Sequence, residues 1–159
     1  MRVLGIDPGL RIAGYGCIDF EGNLNSPTIV EAGAIKLTSE NSISFRLAQL
    51  YDDISEIIAE LAPEVLAVEK IFTHKEHPAT ATTMGHARGV ILLAGEQANL
   101  PLVELAPTEI KKSVVGNGQA TKEQVQHAVA SILKLSEPPN PSDVADALAI
   151  AITAGIRET

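Results

Sequence analysis

Two acidic residues stand directly after short apolar runs that are typical of buried strands. Asp7 follows residues 3–6 and precedes a Pro-Gly turn signal, and Glu69 follows residues 65–68. The second run is continuously apolar, as expected for a strand covered on both faces. A carboxylate at the tip of a buried strand is costly to desolvate unless a cation or several hydrogen bonds compensate for the lost water. We therefore expect Asp7 and Glu69 to be partners in one site.

Two further acids open the last apolar stretch of the chain. Asp146 is the only charged residue between Val144 and Ile156, so its carboxylate faces the same desolvation cost. Asp143 lies three residues earlier, which places both carboxylates on one face of a predicted helix. Four acids from three separate elements could therefore converge.

A convergent set of carboxylates has the ligand chemistry that suits Mg²⁺ or Mn²⁺. Two such ions about 3.5–4 Å apart are the standard arrangement for phosphodiester hydrolysis, in which one activates the water and the other stabilises the leaving oxygen. The four acids therefore predict a site for two Mg²⁺ ions, with Mn²⁺ as a plausible substitute.

Each acid also has an ordinary interpretation that the sequence leaves open. Asp143, after Ser142, could complement a helix dipole, and Asp7 could be a turn residue. Glu69 could form a surface ion pair with its neighbour Lys70. The combination of the acids, more than any single one, indicates a nuclease site.

Length and composition fit one folded domain that covers residues 1–159, since 45% of the residues are hydrophobic. Cys17 is the only cysteine and the four histidines are scattered, so neither a disulfide framework nor a Cys/His zinc site is expected. No apolar run approaches the roughly 20 residues of a membrane span. An acid at position 7 also interrupts any signal-peptide layout. We expect a cytoplasmic protein without membrane association.

The net charge of −8 argues against a general polyanion binder, because nucleic-acid-binding proteins usually carry a basic footprint. Residues 70–122 nevertheless contain six basic and four acidic residues, which gives +2 and leaves −10 for the remainder. This asymmetry allows one basic face on an acidic protein, and bound metal ions would offset charge at a carboxylate cluster. A merely soluble acidic surface is the alternative.

Hydrophobic periodicity and turn signals predict an α/β fold with a mixed five-stranded sheet flanked by helices. Gly85 and Gly89 give one helix a small-residue face that permits close helix approach. The final helix is apolar nearly all round and must be buried. The predicted strands are residues 3–6, 13–20, 28–37, 65–68 and 102–105, and the predicted helices are residues 43–61, 79–98, 107–115, 121–135 and 143–156.

Taken together, these segments resemble the RuvC family of Holliday-junction endonucleases along almost the full chain. Each motif alone is weak, but all of them occur in family order and at family spacing. They are Gly5-Ile6-Asp7-Pro8-Gly9, Gly14-Tyr15-Gly16, Val68-Glu69 with Phe72 downstream, Val114-Val115-Gly116-Asn117-Gly118 and Asp143-Val144-Ala145-Asp146-Ala147-Leu148-Ala149.

The resemblance implies an RNase H-like fold and a Mg²⁺-dependent endodeoxyribonuclease. Such an enzyme resolves four-way DNA junctions by paired symmetric nicks in DNA recombination and repair. A homodimer with two active sites and a RuvAB-type branch-migration partner are implied as well. The catalytic, metal-binding acids of the family fall on Asp7, Glu69, Asp143 and Asp146.

The resemblance also points to DNA contacts. The phosphate-contacting lysines of the family match Lys111 and Lys122, and its base-stacking aromatic matches Phe72. Further candidate DNA-binding residues are Lys75, Arg88 and Lys112.

Physical reasoning supports these contacts and leaves alternatives. Lys111, Lys112 and Lys122 flank a glycine loop that suits phosphate binding, although a solvated surface would explain each lysine nearly as well. Phe72 leaves a strand for a polar loop, where stacking on an unpaired base is worth about 1–3 kcal/mol. A core position for Phe72 is equally compatible with the sequence.

Three other functions compete with a junction endonuclease. Gly-Ile-Asp-Pro-Gly also resembles the first phosphate loop of actin-like ATPases and sugar kinases, but 159 residues leave no room for their second lobe. An RNase H-like nuclease acting on RNA would share the first and last acids. A non-catalytic junction-binding module would use its carboxylates structurally and bind junctions without cutting them.

Overall fold

The computed structural model describes residues 1–22, 26–71 and 78–159. In these ranges the chain forms a mixed five-stranded sheet with helices on both faces, so the predicted fold class is confirmed. The strands are β1 (Arg2–Asp7), β2 (Ile12–Asp19), β3 (Thr28–Lys36), β4 (Val65–Glu69) and β5 (Leu102–Leu105), and the helices are α1 (Ile43–Leu61), α2 (Pro78–Gln97), α3 (Pro107–Val115), α4 (Lys122–Ile132) and α5 (Ser142–Glu158).

The one predicted boundary that is wrong by more than two residues is the end of α4. This helix ends at Ile132, whereas the sequence predicted an end near Leu135. The backbone of Lys134 enters the left-handed region with φ of 56°, and the Leu135 N–H donates to the Ala130 carbonyl oxygen at 2.8 Å. These features close the helix before its apolar pattern stops.

The sheet has the strand order β3-β2-β1-β4-β5, so β1 is central. It pairs antiparallel with β2 and parallel with β4. The register between β1 and β4 runs to Ile6 opposite Val68. The next residues of the two strands are Asp7 and Glu69, which therefore leave the sheet side by side.

Alternation along the strands decides the face on which each acid lies. Leu4 of β1 belongs to the core cluster that contains α1 and α2 residues, whereas Val3 belongs to the cluster that contains α5 residues. Asp7 lies four residues after Val3 in β1, so the two side chains point to the same face of the sheet. On β4, Glu69 is in phase with Ala67, which also belongs to the α5 cluster. Both acids therefore project on the α5 side of the sheet.

Glycines in β1 and β2 allow α5 to lie directly on the sheet. A Cβ on Gly5 would lie 2.3 Å from the carbonyl oxygen of Ala147, and a Cβ on Gly14 would lie 2.0 Å from that of Asp143. Because Gly14 pairs with Asp7 across the strands, this contact brings the first turn of α5 over the end of β1.

The other face of the sheet is covered by α1 and α2. The Ser42 hydroxyl accepts a hydrogen bond from the Phe45 N–H at 3.2 Å at the start of α1, and Ala62 ends this helix in the left-handed region. In the part of the chain that the structure describes, no helix is both long and apolar enough to cross a membrane.

The substitution Gly14→Ala tests the close packing of α5 on the sheet. The added methyl group would overlap the Asp143 carbonyl oxygen, so we expect the free energy of unfolding to fall by about 1–3 kcal/mol in urea denaturation. Gly118→Ala is the matched control, since its Cβ would meet its nearest neighbour, the Thr108 carbonyl oxygen, at an ordinary 3.4 Å. Equal effects of the two substitutions would contradict the close packing.

Candidate active site

The four predicted acids come from three elements that meet at one edge of the sheet. Asp7 ends β1 and Glu69 ends the neighbouring strand β4. Asp143 and Asp146 lie at the beginning of α5, which packs on β1, β2 and β4. All four residues are half-buried. The structure therefore brings together acids that are far apart in the sequence.

The pKa of Asp7 shows how strongly this site resists negative charge. Burial is the main cause that raises this pKa from 3.8 to about 8. The charges of the other acids raise it further, in the order Asp146, Asp143 and Glu69, and Lys122 opposes them. At neutral pH, Asp7 therefore favours its protonated form.

Burial also raises the pKa of both Glu69 and Asp146. For Glu69, the charge of Asp146 adds to burial, while Lys111 and Lys122 lower the pKa. For Asp146, Lys122 lowers the pKa by its charge and a hydrogen bond, and Asp143 raises it. The acids and lysines thus form one electrostatically coupled group.

The carboxylates are neighbours, but they do not form a closed set of metal ligands. Within residues 1–22, 26–71 and 78–159, no three Asp, Glu, His or Cys side chains are grouped so that they could hold a metal ion. Like charges repel in a partly buried site, so a divalent cation would have to draw the carboxylate oxygens together. The donor chemistry itself, carboxylate oxygen with access for water, fits Mg²⁺ or Mn²⁺.

The two predicted phosphate-contacting lysines lie beside the acids. Nζ of Lys122, the first residue of α4, is 3.2 Å from Oδ2 of Asp146. Burial by itself would lower the pKa of Lys122, but Asp146 and the other acids raise it overall, so this lysine is charged. Lys111 of α3 is near enough to lower the pKa of Glu69. The site therefore combines acidic and basic groups.

Two cavities open onto these residues. One of about 870 Å³ is lined by Asp7, Glu69 and Lys111 together with apolar residues that include Met84 and Pro107. A second cavity of about 220 Å³ is lined by Glu69 and Lys111 as well, and also by both members of the Lys122–Asp146 ion pair. Because Glu69 and Lys111 line both cavities, a phosphate group bound there would lie between acids and lysines.

The remaining predicted DNA contacts are placed differently. Lys112 is exposed on α3 and lines neither of these two cavities. The Arg88 side chain is only 16% exposed; it pairs with Glu104 and donates to a main-chain oxygen of β4 at 3.3 Å. This placement favours a role inside the protein over a phosphate contact. Phe72 and Lys75 lie outside the described residues, so their roles stay predictions.

Sequence reasoning missed several residues that lie around the acids. Glu104 is one of the four acidic residues between positions 70 and 122, and in the structure it is the partner of Arg88. Its signal was available, since it is the only charged residue in the apolar strand β5. Met84 and Thr80 of α2 line the larger cavity. The sequence does not show which face of α2 turns towards the acids, so these two residues carried no signal.

A family model described as crossover junction endodeoxyribonuclease RuvC matches residues 3–154 of the chain. The chain belongs to the RuvC family. A RuvC relative from Pelotomaculum thermopropionicum is 46% identical over 152 residues, which cover 96% of this chain and 91% of the relative.

Solved structures agree with RuvC membership. The structure of T. thermophilus RuvC in complex with Holliday junction substrate has a TM-score of 0.91 and 33% identity, and the match covers 99% of this chain and 94% of that one. The yeast mitochondrial Holliday junction resolvase Ydc2 has a TM-score of 0.65 at 16% identity, covering 98% of this chain and 82% of the other, and shows the shared fold alone.

The RuvC match confirms the family that the motifs predicted and, with the structural similarity, the RNase H-like α/β fold. The match also confirms the predicted enzyme class, a crossover junction endodeoxyribonuclease. The RuvC family is one of metal-dependent nucleases.

The raised pKa of Asp7 predicts a loss of stability at high pH when divalent cations are absent. Its folded-state value of about 8 lies above the ordinary 3.8. The protonated form of Asp7 therefore stabilises the folded state. This contribution to stability is complete below about pH 4 and is lost as the pH rises through 8. Because Asp7→Asn cannot ionise, we expect it to raise the free energy of unfolding in EDTA by roughly 2 kcal/mol or more at pH 9 and little at pH 4.

Urea denaturation between pH 4 and 9 measures this difference. The matched control is Asp52→Asn, which removes the same charge from an exposed position on α1. A difference between Asp7→Asn and the unchanged protein that does not vary with pH would contradict the raised pKa.

Proposed function

We propose that this protein cuts four-way DNA junctions by paired, symmetric, metal-dependent nicks and so acts in DNA recombination and repair. The observation that carries the proposal is the coupled group of acids where β1, β4 and α5 meet, in which the pKa of Asp7 is raised to about 8. Divalent cations offset such charge, and two-cation carboxylate sites are suited to phosphodiester hydrolysis. The similarity to T. thermophilus RuvC in complex with a Holliday junction supports the substrate class.

Asp7, Glu69, Asp143 and Asp146 would hold two Mg²⁺ ions, for which Mn²⁺ is a plausible substitute. When bound, the ions activate a water molecule and stabilise the charge on the leaving oxygen. The half-buried position of the acids supports this assignment, because Mg²⁺ usually keeps several water ligands. Hydrolysis would break the bond between phosphorus and the 3′ oxygen, which leaves a 5′-phosphate and a 3′-hydroxyl.

Lys111 and Lys122 would bind oxygens of the scissile phosphate. Both line the smaller cavity beside Glu69 and Asp146, where positive charge stabilises the pentacovalent state of the phosphate. The Lys122 side chain is 61% exposed, so it can contact DNA while it remains close to Asp146.

Further DNA contacts are part of the same proposal. Lys112 is exposed on the helix that carries Lys111 and is suited to a backbone phosphate away from the scissile one. We also include Phe72, as a stacking residue, and Lys75, which follow Glu69 in the sequence and lie outside the described residues. Arg88 has less support as a contact, because its side chain is engaged within the protein.

Paired nicks need two active sites, and we propose that a homodimer supplies them. The outer face of α2 supports this: a Cβ on Gly85 or Gly89 would meet nothing within 4 Å, and Leu93 is 50% exposed. Their spacing of four residues places all three on one helical face. A RuvAB-type branch-migration partner, a cytoplasmic location and a single nuclease domain over residues 1–159 complete the proposal.

Cleavage of a synthetic four-way DNA junction tests this function. We expect paired symmetric nicks in Mg²⁺ and none in EDTA, linear duplex or an RNA–DNA hybrid. Asp7→Asn should lower the cleavage rate by more than the 10- to 100-fold typical of losing a group behind a metal ligand. It should keep or improve junction binding, because a negative charge is removed. Asp52→Asn is the control for loss of one charge at an exposed position.

The other outcomes separate the competing functions. Binding of the junction without cutting in Mg²⁺ would favour a non-catalytic module. Cleavage of the RNA–DNA hybrid would favour a nuclease acting on RNA. Normal cleavage by Asp7→Asn would show that the proposed carboxylate mechanism is wrong.

Removing the two lysines tests the phosphate contacts. We expect the double variant Lys111→Ala, Lys122→Ala to lower kcat by about 10²–10³, because positive charge beside the scissile phosphate would be lost. Lys112→Ala is the matched control, since Lys112 neighbours Lys111 on α3 but lines neither cavity. It should weaken binding and its salt dependence and leave kcat nearly unchanged. Single-turnover rates that are equal in the double variant and the unchanged protein would exclude the lysine role.

A further inference from the structure

Arg88 makes two contacts that tie the middle of α2 to the strands behind the acids. Its Nε donates to the main-chain oxygen of Glu69 at 3.3 Å, and its Nη2 donates to Oε2 of Glu104 in β5. The two residues also form an ion pair in which the Arg88 side chain is 16% exposed. One guanidinium can make both contacts at once, because its donors are fixed in a planar fork.

The ion pair between Arg88 and Glu104 lies on the face of the sheet opposite the carboxylates. Glu104 pairs in register with Val68, which belongs to the core cluster of α1 and α2, whereas Ala67 belongs to the cluster of α5. Since side chains alternate, Glu69 projects with Ala67 on the α5 side. Arg88 therefore contacts the main chain of Glu69 from the side of the sheet opposite the Glu69 carboxylate. It lines neither of the two cavities.

The peptide unit between Glu69 and Lys70 is held from both sides. Its N–H, on Lys70, donates to the Leu105 carbonyl oxygen at 2.8 Å. Its carbonyl oxygen, on Glu69, accepts from Arg88. The pairing of β4 with β1 ends one residue earlier, at Val68. The orientation of this peptide unit, and with it the direction of the Glu69 side chain, depends on the two bonds.

We propose that Arg88, anchored by Glu104, is a positioning residue that directs the Glu69 carboxylate towards the divalent cations. This rests on the proposed function, because it needs Glu69 to be a metal ligand. Ligand distances in metal sites vary by only about 0.2 Å, so a small rotation of the peptide unit changes coordination. Groups that orient metal ligands typically contribute about 10- to 100-fold to metal affinity or activity.

The charge of Arg88 is a weaker explanation of its placement than its geometry. The cations that lower the pKa of Glu69 are Lys111 and Lys122. The positive charge of Arg88 is balanced by its ion pair with Glu104. A change that keeps the charge and loses the planar fork therefore distinguishes the two explanations.

Three variants of the full chain test the proposal. Arg88→Met keeps a long apolar stem and removes both contacts, while Arg88→Lys keeps the charge and loses the fork. Arg2→Met is the matched control, because Arg2 also bridges a carboxylate, Asp19 at 2.8 Å, and a main-chain oxygen, Leu61 at 2.7 Å. That bridge lies at the opposite end of β1 from Asp7.

Metal binding is measured without DNA, as Mn²⁺ binding by electron paramagnetic resonance. We expect Arg88→Met to weaken Mn²⁺ binding and to raise the Mg²⁺ concentration for half-maximal junction cleavage, each by about 10- to 100-fold. We expect the same two losses in Arg88→Lys, because it keeps the charge but loses the planar fork. Hydrogen exchange at the Lys70 amide should become faster in Arg88→Met. Arg2→Met should lower stability in urea and leave metal binding, the Mg²⁺ dependence and the Lys70 amide unchanged.

Several results would overturn the positioning role. They are an Mn²⁺ affinity that is unchanged in Arg88→Met, an equal loss of Mn²⁺ affinity in Arg2→Met, or an Mn²⁺ affinity in Arg88→Lys that equals that of the unchanged protein. Weaker junction binding with a salt slope reduced by about 1, at unchanged metal affinity, would make Arg88 a phosphate contact instead. If the unchanged protein binds Mn²⁺ but cuts no junction, the proposed function fails on its own, and weaker Mn²⁺ binding by Arg88→Met still supports the positioning role.

Discussion

Carboxylates that share a partly buried site repel one another, and this repulsion sets what the rest of the fold must do. Two like charges about 4 Å apart oppose each other by about 4 kcal/mol at the effective dielectric of a protein surface. In this protein burial is the main cause that raises the pKa of Asp7 to about 8, and repulsion by the other three acids raises it further. Lys122 and Lys111 reduce the repulsion without removing it. The acids supply no attraction that would hold them together, so other parts of the fold must do so.

The backbone and the apolar core provide that restraint. Parallel pairing of β1 with β4 fixes Asp7 beside Glu69, independently of their charges. The approach of α5 is fixed by the glycines beneath it and by its own burial, since it is buried almost continuously from Val144 to Gly155. Burial of such apolar side chains contributes about 1.5–3 kcal/mol for each large one. Hydrophobic packing of α5 is therefore the source of the free energy that keeps its two acids beside β1.

How far the sequence predicts this site depends on the kind of interaction. The sequence indicates Asp7 and Glu69 because apolar runs end in these acids, and Asp146 because it is the only charged residue between Val144 and Ile156. These are local patterns in the sequence. Local patterns also predicted nearly all of the helix and strand bounds. The Arg88–Glu104 pair joins α2 to β5, and nothing local to either residue indicates the other. The end of α4 was predicted wrongly for a different reason. The apolar pattern continues beyond the left-handed turn at Lys134, so the pattern does not mark the residue at which the helix ends.

The same electrostatics bear on how a chain with a net charge of −8 can bind a polyanion. In the proposed site, the formal charges of four carboxylates and two divalent cations cancel. Lys111 and Lys122 then give the site a net positive charge towards a phosphate, whereas without the cations the carboxylates outnumber them. A cation bound to Asp146 would also weaken the ion pair between that carboxylate and Lys122, which would leave the lysine more available to a phosphate. Cation binding would therefore change the proposed site from one that repels phosphate to one that attracts it, so that an acidic protein would need no continuous basic surface there.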